Sequence, residues 1–100
     1  MTDTTTDTTE VFEELRAHID RLRGAERKVR GEMFAALTEV EFVERLAAAG
    51  EQDQGRLEAL MAQLACVAGV TGRAKQLATS VRGAARRAER ARADARAAEL

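Results

Sequence analysis

One histidine, His18, and one thiol, Cys66, are the only side chains of their kinds in this 100-residue chain. A cysteine nucleophile needs a base within hydrogen-bond reach. In the hairpin derived below, Cys66 falls opposite residue 38, far along the rod from His18. No His or Cys cluster has metal-ligand spacing. Glu39, Glu41 and Glu44 look like paired carboxylates, but charges at this spacing are the ordinary solvent face of a helix. Gly69 and Gly72 followed by Arg73 do not fit the G-x-x-x-x-G-K-[ST] phosphate loop. Neither enzymatic activity nor a cofactor is expected.

The chemistry that remains is charge. Arg21, Arg23, Arg27, Lys28 and Arg30 form one basic run, and Arg73, Lys75, Arg82, Arg86 and Arg87 form a second. Brought side by side they make a candidate anion-binding band, able to hold phosphates through counterion release. No aromatic residue is interleaved for base stacking. Glu26 and Glu89 fall within the two runs, as they would on a plain solvated face. Net charge is −1, yet residues 1–72 hold 8 basic and 14 acidic side chains while residues 73–100 hold 8 and 3. That asymmetry suits an anionic partner, or attraction between the two halves.

The elements that must position these groups are helices. Pro, Trp and Tyr are absent, and 21 residues are Ala. The Ala and Arg bias (14 Arg to 2 Lys) points to a GC-rich bacterial genome. A first heptad run reads Phe12, Leu15, Ile19, Leu22, Glu26, Val29, Met33, Ala36, Val40, Val43, Ala47. A second reads Leu57, Leu60, Leu64, Val67, Thr71, Ala74, Ala78, Val81, Ala85, Ala88, Arg92, Ala95. Each alternates steps of three and four, and only Glu26, Thr71 and Arg92 are polar. This spacing predicts helices pairing along a seam.

The expected fold is all-α: a long antiparallel helical hairpin, or two-helix coiled coil. Residues 1–9, Thr and Asp without an apolar anchor, read as a disordered arm. One domain over 10–100 follows, with helix 10–49, turn 50–53 and helix 54–98. Gly50 is the predicted C-cap and Asp53 the N-cap of the second helix. Folded about residue 52, Val43 meets Leu60, Val40 meets Leu64, Leu22 meets Val81 and Leu15 meets Ala88. Two Gly within A-G-V-T-G cost about 1 kcal/mol each inside a helix. A kink or break near 69–72, giving three helices, is the alternative.

Phe34, Leu37, Phe42, Leu46, Met61, Val70 and Leu77 lie off the seam. On a hairpin they form an exposed apolar patch near the loop, which marks an interface. A fold with a third helix would bury them instead. The expected function is a non-enzymatic helical interaction module (adaptor, chaperone-like partner or assembly subunit) that forms a homodimer or binds another protein. A four-helix bundle of two hairpins is its simplest form. The alternative is a small nucleic-acid-associated protein using the basic band. The C-terminal stretch RGAARRAERARADARAAEL is Ala and Arg at helical spacing, the mark of a solvated helix end.

The layout of about 100 residues, two helices and a central turn is similar to the small secreted hairpins of type VII secretion. Their Trp-x-Gly turn is replaced here by A-A-A-G-E-Q-D-Q-G, and the Tyr of their export signal is missing. The resemblance implies export without a cleavable signal. The residues alone show no signal peptide and no membrane span, so the expected compartment is the cytoplasm. Neither a membrane nor a small-molecule substrate is expected among the partners.

Overall fold

The computed structural model describes residues 4–99, and the side chains of 7–99. It is all-helical. Helix α1 spans Thr4–Gly24, α2 Arg27–Phe34, α3 Val40–Gln52, α4 Gln54–Ala65 and α5 Thr71–Glu99, with a 3-10 turn at Ala35–Thr38 between α2 and α3. The expected long hairpin is therefore corrected to a shorter, thicker bundle. Residues 4–9, expected in a loose arm, belong to α1; residues 1–3 of that arm lie outside the described residues. Arg45 on α3 ties down the first turns, with its guanidinium 3.5 Å from Asp7 and 3.0 Å from Glu14.

The first predicted helix breaks twice. Glu26 (φ −64°, ψ 145°) and Glu39 (φ −63°, ψ 138°) both take extended backbone. Neither break carries a Gly or Pro at the extended residue. The cause is the apolar surplus. A continuous helix would aim Glu26 at the seam and leave Phe34, Leu37, Phe42 and Leu46 in water. Breaking it turns all four inward, where none is more than 8% exposed. Burying each contributes about 1.5–3 kcal/mol. The few helical hydrogen bonds given up cost about 0.5–1.5 kcal/mol each, so burial wins. The Thr38 hydroxyl donates to Ala35 O at 2.8 Å and helps end the 3-10 turn.

The second predicted helix breaks at 66–70, close to the glycines that marked it as weak. Gly69 sits at φ +88°, a conformation that favours glycine. Val67 and Val70 plug the core on either side of the turn. The Thr71 hydroxyl donates to Ala65 O at 2.9 Å and caps the end of α4.

Asp53 is the N-cap as expected, but Gly50, expected as the C-cap of a turn over 50–53, lies inside α3, which runs on to Gln52. The Asp53 carboxylate accepts from the backbone N–H of Arg56 at 3.1 Å and starts α4. This α3–α4 turn is what survives of the hairpin. Side-chain neighbours give the directions of the other helices. Glu14 with Arg45, and His18 with Phe42, make α1 antiparallel to α3. Arg56 over the Phe12 ring at 5.2 Å sets the start of α4 beside α1, and because α4 doubles back on α3 it runs parallel to α1. Met61 beside Ala78, and Gln54 beside Ala85, make α4 antiparallel to α5. The result is an up-down-up-down bundle in which α1 and α5 each pack against both α3 and α4.

This overturns most of the predicted register. Leu15, Ile19 and Leu22 are buried, and α1 packs chiefly against α3 and α4 rather than α5. Val40, expected opposite Leu64, is 69% exposed at the start of α3. The two-helix layout that resembled type VII substrates is replaced by five helices. One continuous apolar cluster runs through the bundle, from Val11 on α1 to Ala84 on α5.

Candidate protein-interaction surface

Of the seven side chains expected at an exposed interface, Phe34, Leu37, Phe42, Leu46, Val70 and Leu77 lie in the core of the single chain. An exposed patch at these six positions is corrected: the extra helices supply the cover that a hairpin lacks. Met61 alone stays half-buried at the surface. It lines an open cleft between α4 and α5 with Leu57, Ala78 and Val81, under a rim of Gln54, Glu58 and Arg82. A second depression continues toward the α3–α4 turn past Gly50, Glu51 and Ala85. The two share Gln54, Leu57, Val81 and Arg82, and each holds about 200 Å³.

Leu57 is the centre of this cleft. Gly50 lacks a Cβ where Leu57 Cδ2 lies, so the leucine rests on bare backbone. Half-buried, it is the first residue of the second seam run and sits one turn past the Asp53 cap. Its exposure had no signal in the sequence, because it depends on where α5 ends its contact with α4.

The basic band divides in two. Around the α1–α2 and α4–α5 turns, Arg30 donates to Leu22 O at 2.9 Å, to Ala68 O at 2.6 Å and to Arg23 O at 3.5 Å. These are carbonyls at the end of α1 and in the turn after α4, and Leu22 O also accepts from the backbone N–H of Ala25 at 3.3 Å. Arg73 donates to Gly31 O at 2.8 Å, and Arg27 lies along Gly69. Arg21 contacts His18 Nδ1 at 3.1 Å, Arg23 lies 3.8 Å from Asp20, and Lys28 lies 3.9 Å from Glu26. Lys75 is exposed nearby on α5. Arg82 and Arg87 stand farther along α5: Arg82 rims the Leu57 cleft, and Arg87 lines a groove with Glu44, Glu51 and Arg92. Arg86 is exposed between them. The structure thus joins the first run to the start of the second run, and separates both from Arg82, Arg86 and Arg87.

His18 packs its ring edge-on against Phe42, centroids 5.9 Å apart. Burial, and then the Arg21 charge, push its pKa below the ordinary 6.5, against an opposing pull from Glu14. A histidine whose folded pKa is depressed takes up protons more readily when unfolded. Stability is therefore full above pH 6.5 and falls as pH drops through that value toward the folded pKa. His18→Gln is expected to flatten the pH dependence of the thermal midpoint between pH 7 and 5. An unchanged slope would assign that dependence to other groups.

Cys66 is an exposed free thiol at the C-terminus of α4. Among the described residues, no group of three or more His, Cys, Asp or Glu side chains could hold a metal ion. No described helix is long and apolar enough to cross a membrane. Comparison with protein-family models, curated proteins and solved structures returned no match to this chain.

Proposed function

We propose that this chain is a non-enzymatic helical interaction module, an adaptor or assembly subunit, that self-associates through the Leu57–Met61 cleft. One observation carries the reading. The core is closed within one chain, yet beside the α3–α4 turn Leu57 and Met61, packed against that core, keep part of their surface open in a continuous apolar trough. Such troughs with polar rims take up helices in the groove mode of recognition. This surface shares only Met61 with the seven off-seam side chains expected at an interface. Leu57→Glu is the test, with the helical spectrum and thermal midpoint read beside the mass because Leu57 is partly buried against the core. The expected result is a dimer for the native chain by light scattering, and a monomer with an unchanged helical spectrum for the variant. A variant that keeps the native mass would remove the cleft as the contact face.

A second reading has its own support. Arg27, Arg30 and Arg73 converge where the α1–α2 and α4–α5 turns meet, with Arg21, Arg23 and Lys28 exposed close by. A polyanion bound there would lose affinity steeply with salt, by about one counterion per phosphate contact. The expected result for this reading is retention on immobilised duplex DNA at low salt, lost on reversing Arg27 and Lys28 to Glu. Retention insensitive to salt would exclude it.

A further inference from the structure

We infer that the crevice between α5 and the α2–α3 connection binds a small polyhydroxy compound carrying one anionic group, a phosphate or a carboxylate, with Arg73 as its anchor. This crevice lies on a different face of α5 from the Leu57–Met61 cleft.

The crevice holds about 450 Å³. Arg73, Gln76 and Ser80 line it from successive turns of α5, and Thr38 lines it from the end of the 3-10 turn. Phe34 and Leu77, each at most 2% exposed, close its floor. Arg73 is set in place by a glycine. Gly31 lies inside α2, where glycine costs about 1 kcal/mol against alanine. Its φ is not positive, so the backbone does not require it there. The guanidinium of Arg73 does. A methyl group at Gly31 would stand 2.9 Å from its Nη1, 3.1 Å from Nη2 and 3.2 Å from Cζ. The flat ion thus rests on bare backbone, and its Nη1 donates to Gly31 O at 2.8 Å. Nη2 and Nε keep their protons for a ligand.

The lining selects the chemistry. One guanidinium and no carboxylate call for a single anionic group, which the planar fork can hold through two donors. Among the described residues, neither Gln76 nor Ser80 has a side-chain hydrogen-bond partner, so both are open to ligand hydroxyls. The Thr38 hydroxyl donates to Ala35 O and keeps its lone pairs as acceptors. From Arg73 to Ser80 is about 10 Å along the helix, the reach of a phosphorylated hexose. The floor presents almost no apolar area and no open ring face, so a sugar-like body fits better than an aromatic one. No histidine, cysteine or carboxylate lines the crevice. The ligand is therefore held and not transformed.

The test is two-dimensional amide NMR of the full chain, titrated with glucose-6-phosphate, gluconate, glucose and inorganic phosphate. At least one of the two anionic sugars is expected to move the amides of Gly31, Thr38 and residues 73–80 in a saturable way. Which of them does so tells phosphate from carboxylate. Glucose and inorganic phosphate are expected to bind about tenfold more weakly, because each makes only part of the contacts. Arg73→Gln is expected to weaken binding about tenfold or more. Ser80→Ala, a change that favours the helix, is expected to weaken it about threefold with an unchanged thermal midpoint. The chain with Arg27→Glu and Lys28→Glu is expected to bind within about threefold of the native chain, which separates this site from a polyanion surface at the neighbouring turns. Inorganic phosphate binding as tightly as either anionic sugar, native-like binding by Arg73→Gln, or no saturable shift with either anionic sugar would overturn the site.

Discussion

Phe34→Ala is expected to lower the unfolding free energy by about 3–5 kcal/mol, the cost of a large buried aromatic replaced by a methyl group. The ring is 2% exposed and sits at the last residue of α2, where the chain passes into the 3-10 turn. It anchors the segment in which the predicted first helix departs from its seam. A small domain has about 5–15 kcal/mol in all, so the variant should lose a large share of its stability. Denaturant titration followed by circular dichroism would read it. The paired reversal Phe34→Glu with Phe42→Glu separates the bundle from a hairpin more sharply. On a hairpin these are surface positions, and their reversal would give helical monomers. In the bundle two unpaired carboxylates enter an apolar core, and loss of helical signal is the expected outcome. Helical monomers from that variant would contradict the bundle.

Arg30→Met carries the second large effect, with an expected loss of about 2–4 kcal/mol. Its guanidinium reaches three carbonyls at once, Leu22, Arg23 and Ala68, and so joins the end of α1 to the turn between α4 and α5. The stem of methionine replaces most of the packing, so the loss reports the hydrogen bonds. Arg30→Lys should recover little, because one ammonium cannot serve acceptors that diverge from a planar fork. Urea titration of the three chains would check this. A lysine variant as stable as the native chain would show that charge alone matters there.

The parts of the fold legible in the sequence were those where seam and burial agree. Phe12, Leu15, Ile19 and Leu22 are buried as the first run implies, as are Leu60, Leu64 and Val67 of the second. Asp53 was readable because an N-cap has a local chemistry, and the turn at 66–70 because Gly69 does. The breaks at Glu26 and Glu39 were not readable. Glutamate is a good helix former, and the local signal at the first break is weak: Gly24, the last residue of α1. What stops the helix is tertiary: four large apolar side chains off the seam that can be covered only if the helix bends back. Those residues stood out in the sequence as a surplus, and the decision between a partner and an extra helix was beyond local pattern. The same holds for the cleft. Met61 was singled out for being off the seam, while Leu57, placed on it, was expected inside. The basic band was legible as composition, but not the commitment of Arg30 and Arg73 to backbone carbonyls.

Whether Phe34, Leu37 and Leu46 lie inside a single chain is read most directly by small-angle X-ray scattering coupled to light scattering, extrapolated to infinite dilution. The bundle predicts a monomer with a radius of gyration near the 14.8 Å of the Cα trace and a long dimension near 54 Å. A straight hairpin with arms of about 60–68 Å would behave as a thin rod with a radius of gyration of about 19 Å. A dilute monomer at the rod value would contradict the closed core and return the six buried residues to the surface.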